Sequence, residues 1–278
     1  MMVSLVPNLS AQTLIDALCL PESCRVDQRV PKKLLLENGA PTAADKRLIT
    51  ESIEEIQWVA ALKPNTIGVP EYRDALREYL EIALLAVTVR GVVKPSSCLR
   101  LAELVHRAVP YPVLLLLIEE QSLTLSLAHK RWAQNEADKM VLDGNLISVT
   151  MSASLPKVNA ADSSHPDPIA VADGESAFLQ SLSVTLQPQA TLHALYQGWV
   201  NCVQALLAAR LTGIYETQIT PEQAAARRQA LADCERLEAE VSRLRAQALR
   251  EKQLARQVEL NLTLKRVQAE LAAARRQL

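Results

Sequence analysis

The sequence contains one unusual cluster of side chains that could take part in chemistry, His129-Lys130-Arg131-Trp132. It directly follows an alternating apolar segment, a pattern typical of a half-buried strand. Ammonium and guanidinium groups bind phosphates and carboxylates, and an indole ring provides a stacking surface. We therefore predict that this run binds an anion or a nucleic acid. A basic strand end with a packed tryptophan is the simpler interpretation, and the sequence leaves both open.

A second group of basic residues precedes this cluster in the chain. Lys32 and Lys33 follow Arg29 closely, and Lys46 and Arg47 come soon afterwards. Whether the fold brings the two basic groups together does not follow from the sequence. We include Lys32 and Lys33 in the predicted anion- or nucleic-acid-binding site.

The motifs of common enzyme classes are absent from the sequence. The seven glycines are never closely paired, and neither GxGxxG nor GxxxxGK[ST] occurs. Because these loops let backbone N–H groups approach a phosphate, their absence excludes a Rossmann cofactor site and a P-loop. GxSxG and HExxH motifs are also absent. Cys19 and Cys24 lie close together, but no second pair of Cys or His completes a zinc site. We expect no catalytic residue, no cofactor and no metal.

A nuclease with an unrecognised active site is the alternative hypothesis. Such a site needs an acid on one strand and an acid-x-lysine pair on the next, which together hold Mg²⁺ and polarise water. The residue two positions before Lys130 is Ala128, and Glu119 and Glu120 are not followed by a lysine. The sequence therefore favours a non-enzymatic protein.

The apolar pattern predicts the elements that position these side chains. Ile82–Val89 and Val113–Ile118 are continuous apolar runs, typical of strands buried on both faces. Further strands are predicted over residues 122–129 and 146–151. Helices are predicted after Ser10 and over residues 29–39, 42–64, 99–108, 175–186 and 191–213, and 72–80 resembles the start of a helix. Together they predict an α+β fold, a mixed β-sheet with packed helices, followed by a long C-terminal helix or coiled coil.

The C-terminal segment 220–278 is predicted to be one long helix. Thr220 marks its start as N-cap, with Pro221 at the first helical position and Gln223 completing a capping box. The 57 residues after Pro221 contain no proline or glycine and are rich in strong helix formers. The remaining boundaries are an α+β domain at 1–155, a polar loop or linker at 156–174, and a helical segment packed on the body at 175–219.

Two apolar seams with coiled-coil spacing run along this predicted helix. Val241 and Leu244 belong to the first seam. Val241 and Leu264 lie 23 residues apart, so on a straight helix, at about 100° per residue, they point to different sides. Either the helix bends between about Leu249 and Leu260, or it contacts two surfaces. We predict that the first seam mediates self-association or packs on the body, and that the second binds a partner protein. The second seam consists of Leu260, Leu264, Val267 and Leu271.

The composition fits a globular protein with a substantial core. The chain is 49% apolar, and its net charge of −1 gives no overall attraction to nucleic acid. Five scattered cysteines suit a reducing compartment. No apolar run of about 18 residues and no charged-then-apolar leader occurs. We therefore expect a cytoplasmic protein without a membrane span.

Several segments resemble a known family. They are Val30-Pro-Lys-Lys-Leu-Leu, the segment 42–64 with Ile53, Trp58 and Leu62-Lys-Pro64, and Pro112-Val-Leu-Leu-Leu followed by Leu-Ser-Leu-Ala-His-Lys-Arg131. Over roughly residues 5–220 the chain resembles the bacterial proteins grouped as domain-of-unknown-function family 4391. The run Ala128-His-Lys-Arg131 is the most specific part. The resemblance implies no established activity. It does imply a role beside DNA-processing machinery, because family members tend to be encoded near helicases and DNA methyltransferases of restriction-like and phage-defence loci.

These observations lead to one functional hypothesis. We predict a non-enzymatic accessory or scaffold subunit of a bacterial anti-phage defence or restriction-type complex. Its C-terminal helix would make the protein–protein contacts. The expected partner is a protein, with a helicase or a methyltransferase as candidates. Self-association through the C-terminal helix is a further option, and any contact with DNA would be indirect.

Overall fold

The computed structural model describes residues 10–134, 136, 139–152 and 168–278. These residues form two compact units. The first comprises the residues before the undescribed segment at 153–167 together with Ser176–Val203. The second comprises the residues after that segment up to Glu175, together with Gln204–Leu278.

The described residues contain helices and strands in mixed order. The helices are α1 (Ala11–Ala17), α2 (Lys32–Asn38), α3 (Ala43–Ser52), α4 (Pro64–Ile67), α5 (Pro95–Ala108), α6 (Pro168–Ser181), α7 (Leu192–Thr212), α8 (Pro221–Arg250) and α9 (Leu254–Arg275). The strands are β1 (Arg25–Arg29), β2 (Ile53–Leu62), β3 (Tyr72–Arg73), β4 (Glu78–Tyr79), β5 (Ile82–Val89), β6 (Val113–Ile118), β7 (Ser122–Leu127), β8 (Lys130–Trp132), β9 (Met140–Leu142) and β10 (Ile147–Ser152). Single 3-10 turns lie at Glu22–Cys24 and Val184–Leu186.

A six-stranded mixed sheet forms the first unit, in the order β1-β2-β5-β6-β7-β10. β5 and β6 are parallel and are connected through α5, whereas the other neighbours pair antiparallel. β3 with β4 and β8 with β9 form two small separate hairpins. The α+β fold with a mixed sheet and packed helices is therefore confirmed.

The core of this unit is built on the two central strands. β5 and β6 are buried along nearly their whole length, as their continuous apolar sequences predict. Alternate residues of both strands, including Leu85 and Leu115, pack with α2, α3 and α5 in one cluster. The intervening residues Leu84 and Leu116 are also fully buried. Both faces of the sheet centre are thus covered.

The predicted helix over residues 42–64 is wrong in its second half. Thr42 caps α3 as expected, its Oγ1 accepting from the Asp45 backbone N–H at 3.1 Å. The helix ends at Ser52, however, and the chain continues as strand β2 between β1 and β5. Backbone pairing with two neighbouring strands outweighs the helical spacing of the apolar residues.

Two other expectations differ from the structure. Residues 72–80 do not begin a helix but form the hairpin of β3 and β4, joined by a turn in which Asp74 accepts from the backbone N–H groups of Leu76 and Arg77. Most of the predicted linker at 156–174 lies outside the described residues, and its last part, from Pro168, is already α6. Strand β1 was not predicted.

The C-terminal segment is helical, but it forms two helices rather than one. The capping box at Thr220 and Gln223 is confirmed, with reciprocal hydrogen bonds of 2.8 and 3.3 Å. α8 ends at Arg250, and α9 begins at Leu254. The chain reverses in between, since Glu238 pairs with Arg275 and Gln257 contacts the carbonyl of Ala248. α8 and α9 therefore form an antiparallel hairpin.

The two predicted seams pack against each other inside this hairpin. Leu237, Val241, Leu244 and Val267 are buried, and Leu260, Leu264 and Leu271 pack around them. A bend between Leu249 and Leu260 was one of the two options from the sequence, and the break falls in that interval. The residues assigned to a partner contact, Leu260 to Leu271, instead face α8.

A matched pair of leucines tests this arrangement. Leu244 on α8 is 4% exposed, whereas Leu262 on α9 is 64% exposed. We expect Leu244→Ala to lower the free energy of unfolding by about 2–5 kcal/mol, because it removes buried methyl groups and leaves a cavity. Leu262→Ala should change it by less than about 0.5 kcal/mol. Urea unfolding followed by far-UV circular dichroism measures both, and equal losses would contradict the hairpin.

Candidate functional site

Lys130, from the predicted anion-binding run, is buried at the end of α5. Only 1% of the residue is exposed. Its Nζ donates to the backbone carbonyls of His106 and Val109, in the last turn of α5 and at its C-cap. The last carbonyls of a helix lack partners within the helix, and a lysine can satisfy them. Lys130 therefore caps α5 from inside the protein and does not reach the surface.

Burial governs the protonation of Lys130 and of the neighbouring His106. Desolvation lowers the pKa of the Lys130 ammonium from its ordinary 10.5 to about 7. His106 is completely buried, and its Nε2 lies 3.1 Å from the Ser126 hydroxyl. Burial first, and the charge of Lys130 second, lower the pKa of His106 to about 3. This histidine is therefore neutral at neutral pH.

His129, the first residue of the run, is held on both ring nitrogens. Its Nδ1 lies 2.5 Å from the Tyr79 hydroxyl, and its Nε2 lies 3.0 Å from Oε1 of Gln197. Gln197 in turn donates through Nε2 to Oδ1 of Asn201 at 2.8 Å. These contacts fit a neutral ring that accepts at Nδ1 and donates at Nε2. Burial, followed by the effect of His193, lowers the pKa of His129 to about 4, in agreement with the neutral form.

An aromatic cluster surrounds His129. The Tyr72 and His193 rings stack with centroids 4.8 Å apart and an interplanar angle of 27°. His193 also meets Tyr79 edge-on at 4.9 Å and lies 5.4 Å from His129. Tyr196, on α7, packs with its ring centroid 5.3 Å from that of His129. The cluster joins β4, the end of β7 and the start of α7.

The Tyr196 hydroxyl ties this cluster to the sheet. It accepts a hydrogen bond from the Ala128 backbone N–H at 2.9 Å and donates to the Val113 carbonyl at 2.8 Å. Ala128 follows the end of β7, and Val113 begins β6. One buried side chain therefore fixes α7 to two neighbouring strands.

Arg131 is the member of the basic run that remains partly exposed and charged. Its Nε lies 3.7 Å from Oδ1 of Asp143, and its Nη1 donates to the Trp132 carbonyl at 3.2 Å. Asp143 also accepts from Nε and Nη2 of Arg77, at 2.9 and 2.7 Å. Two guanidinium groups therefore share one carboxylate. Trp132 contributes its backbone, whose N–H donates to the Leu76 carbonyl at 2.8 Å.

The second basic group lies elsewhere on the sheet. Lys32 lines a cavity of about 340 Å³, and its Nζ donates to the Ile53 carbonyl. Burial, with smaller effects of Arg90 and Arg29, lowers the Lys32 pKa. Lys33 is exposed and pairs with Glu37 at 3.5 Å. β1, which precedes Lys32, lies four strand spacings from β7, or about 19 Å. The structure does not bring the two basic groups together.

Three residues of this region were missed by the sequence reasoning: Arg77, Asp143 and His193. Arg77 and Asp143 are 66 residues apart in the chain, and Gln197, one turn after His193, is 68 residues from His129. No local spacing connects them, because three separate segments supply them. No local pattern in the sequence therefore indicates this cluster.

The acidic residues required by the nuclease hypothesis are not found on the central strands. β5 and β6 contain no Asp or Glu. In the part of the chain that the structure describes, no group of three or more His, Cys, Asp or Glu side chains is arranged to hold a metal ion. β5 and β6 therefore do not supply the acids that this hypothesis places on neighbouring strands.

The hairpin exposes a second apolar surface outside its seam. Leu249, Leu254, Val258 and Leu262 are 86%, 75%, 51% and 64% exposed. We call these four residues the outer stripe. Three of them recur every four residues on α9, so they share one face. None of the described helices is both long and apolar enough to cross a membrane.

The fold and these sites define a class of protein: an α+β body with a C-terminal helical hairpin and candidate binding surfaces on each. A family model described as "Domain of unknown function (DUF4391)" matches residues 18–271, so the chain belongs to this family. No curated protein and no solved structure matches the chain. The resemblance inferred from the sequence is thereby confirmed at the level of the family.

The buried Lys130 gives a pH-dependent prediction. Its folded-state pKa of about 7 lies below its ordinary 10.5, so the unfolded chain binds more protons between these values. Stability rises with pH wherever the unfolded state binds more protons. We therefore expect the free energy of unfolding of the wild type, relative to Lys130→Met, to increase from pH 7 to pH 10.

The exposed Lys33 provides the control for this measurement. Lys33→Met removes a lysine that is 79% exposed and should give a difference from the wild type that does not change over the same pH range. Urea unfolding at several pH values measures both differences. A Lys130→Met difference as flat as the Lys33→Met difference would contradict the burial of a titrating ammonium.

Proposed function

We propose that the chain is a non-enzymatic accessory subunit of a bacterial anti-phage defence or restriction-type complex, and that it binds a protein partner through the outer stripe of its hairpin. The observation that carries the proposal is the exposure of four large apolar side chains, one at the end of α8 and three along the first half of α9. Contiguous exposed apolar surface is typical of a site of protein interaction. The defence or restriction context comes from the family resemblance.

The charges around the outer stripe define the chemistry of its partner. Between residues 249 and 266 the chain has five basic and only two acidic side chains. Four of the basic ones make no ion pair with any described residue. These four are Arg250, Lys252, Arg256 and Lys265. Opposite charges across an interface favour association and select the partner. The partner surface should therefore be an apolar patch, such as one helix face, bordered by carboxylates.

Polar side chains of the α+β body hydrogen-bond to one another and to the backbone, which agrees with a non-enzymatic role. Lys130 caps a helix, and His129 is held at both ring nitrogens by Tyr79 and Gln197. These side chains stabilise the fold in their present arrangement. Binding through the hairpin requires no change in them.

The test compares two double variants that introduce the same charge. Leu254→Glu with Leu262→Glu changes the outer stripe, and Ala232→Glu with Ala239→Glu changes exposed positions of α8 at a distance from Leu249. A purified helicase or DNA methyltransferase of a restriction-type locus is titrated against each variant by calorimetry. Because each buried leucine contributes roughly 1.5–3 kcal/mol, the stripe variant should bind at least about tenfold more weakly. The α8 variant should bind like the wild type.

Three results would overturn the proposal. Equal affinity of both variants for the partner would show that the stripe is not the contact surface. Loss of a homodimer in light scattering, only in the stripe variant, would assign the stripe to self-association. Binding of the wild type to anionic lipid vesicles, with none to either protein, would assign it to a membrane surface. Thermal unfolding confirms that both variants remain folded.

A further inference from the structure

Three separate segments of the first unit meet around Arg77 and Arg131. The Trp132 backbone N–H donates to the Leu76 carbonyl at 2.8 Å, which fixes β8 against the β3–β4 hairpin. The Leu192 N–H donates to the Pro70 carbonyl at 2.8 Å, which fixes the start of α7 beside the same hairpin. The backbone of Asp143 is fixed as well, because its N–H donates to the His129 carbonyl at 2.8 Å. The side chains that these segments present are therefore preorganised.

Two guanidinium groups converge on one carboxylate at this junction. Arg77 uses its Nε and Nη2 on Asp143, and Arg131 places its Nε at 3.7 Å from the same carboxyl group. Within the described residues, Nη1 of Arg77 and Nη2 of Arg131 have no hydrogen-bond partner. An arginine fork can bind a carboxylate and still present a free NH₂ group to a second anion.

The other nearby carboxylate does not use these free donors. Asp74 accepts from the backbone N–H groups of Leu76 and Arg77 and from the Tyr72 hydroxyl, at 2.7, 2.6 and 2.7 Å. Its oxygens are thus occupied within its own hairpin. The guanidinium groups remain available to an external ligand.

The site is also partly shielded from water. The side chains of Arg77 and Arg131 are each 33% exposed, and that of Asp143 is 24% exposed. Partial desolvation strengthens charge-assisted hydrogen bonds relative to those of fully solvated arginines. His193 stands close by, and the charge of Arg77 contributes, after burial, to its lowered pKa. His193 makes no hydrogen bond to a described residue.

We propose that Arg77 and Arg131, with His193 beside them, bind the phosphate group of a nucleotide or of a nucleic-acid strand. A phosphate offers more acceptor oxygens than a carboxylate, and two separate guanidinium NH₂ groups can each reach one of them. Asp143 positions both arginines and leaves their outer donors free. This site belongs to the α+β body and does not depend on the hairpin interface.

The experiment follows the His193 ring signals by NMR while three probes are added to the full-length protein. The probes are inorganic phosphate, AMP, and the dinucleotide ApA, whose single phosphate is an internal diester. Saturable shifts of the His193 signals with phosphate and AMP are expected. Shifts with ApA equal to those with AMP assign the site to a nucleic-acid strand, whereas weaker ApA binding assigns it to a terminal phosphate.

Arg131→Gln is the decisive variant because it leaves the two hydrogen bonds between Arg77 and Asp143 in place. We expect its affinity for AMP to fall at least about tenfold, with unchanged thermal unfolding, and Arg131→Lys to recover part of the loss. The matched control is Arg73→Gln, an exposed arginine of the same β3–β4 hairpin that pairs with Glu71 and Glu78. It should bind AMP like the wild type.

Two results would overturn this proposal. The first is an absence of His193 shifts with all three probes at millimolar concentration. The second is an equal loss of affinity in Arg73→Gln and Arg131→Gln, which would show only nonspecific attraction to a charged surface. Neither result bears on the hairpin, because the readout lies entirely within the body.

Discussion

The burial of β5 and β6 on both faces is the constraint on which the rest of the first unit depends. Two parallel strands of almost purely apolar sequence need a covering layer on each side, since each exposed side chain would cost roughly 1.5–3 kcal/mol. Parallel strands also need a crossover, and α5 provides both the crossover and part of the cover. The last carbonyls of α5 lack partners within the helix, and those of His106 and Val109 need donors from elsewhere in the fold. Lys130 supplies them. The inward position of Lys130 thus follows from the way α5 crosses the sheet.

The run 129–131 shows that basic residues in a sequence are not always exposed on the surface of the fold. Residues 129 to 131 alternate in direction, so Lys130 points inward while Arg131 stays partly exposed. The lysine is tolerated inside because two carbonyls accept from it and because burial brings its pKa close to neutrality. His129 remains neutral for the same reason. Most of the apparent binding potential of the run is therefore used internally, and the arginine alone keeps donors for a ligand.

The accuracy of the sequence-based predictions depends on how local the signal is. Continuous apolar strands and capping boxes are local, and β5, β6, α3 and α8 begin where expected. β2 was mistaken for helix because its pairing with β5 contains irregularities after Ile53 and after Trp58. Each irregularity shifts the inward-facing positions by one residue, so the burial pattern loses its strict alternation and imitates a helical period. The junction of Arg77, Asp143 and His193 is tertiary throughout, and no spacing in the sequence encodes it.

The hairpin resolves a contradiction in the sequence pattern. Val241 and Leu264 are out of phase on a straight helix, a pattern that predicts either a bend or two separate contacts. A chain reversal at residues 251–253 removes any fixed phase between the two seams, because each helix is then free to rotate until its apolar face meets the other. Both seams pack against each other in one interface inside the hairpin. Leucines in that interface cannot at the same time hold a partner, so a contact surface on this unit must come from apolar residues that the hairpin leaves uncovered, and Leu254, Val258 and Leu262 meet that condition.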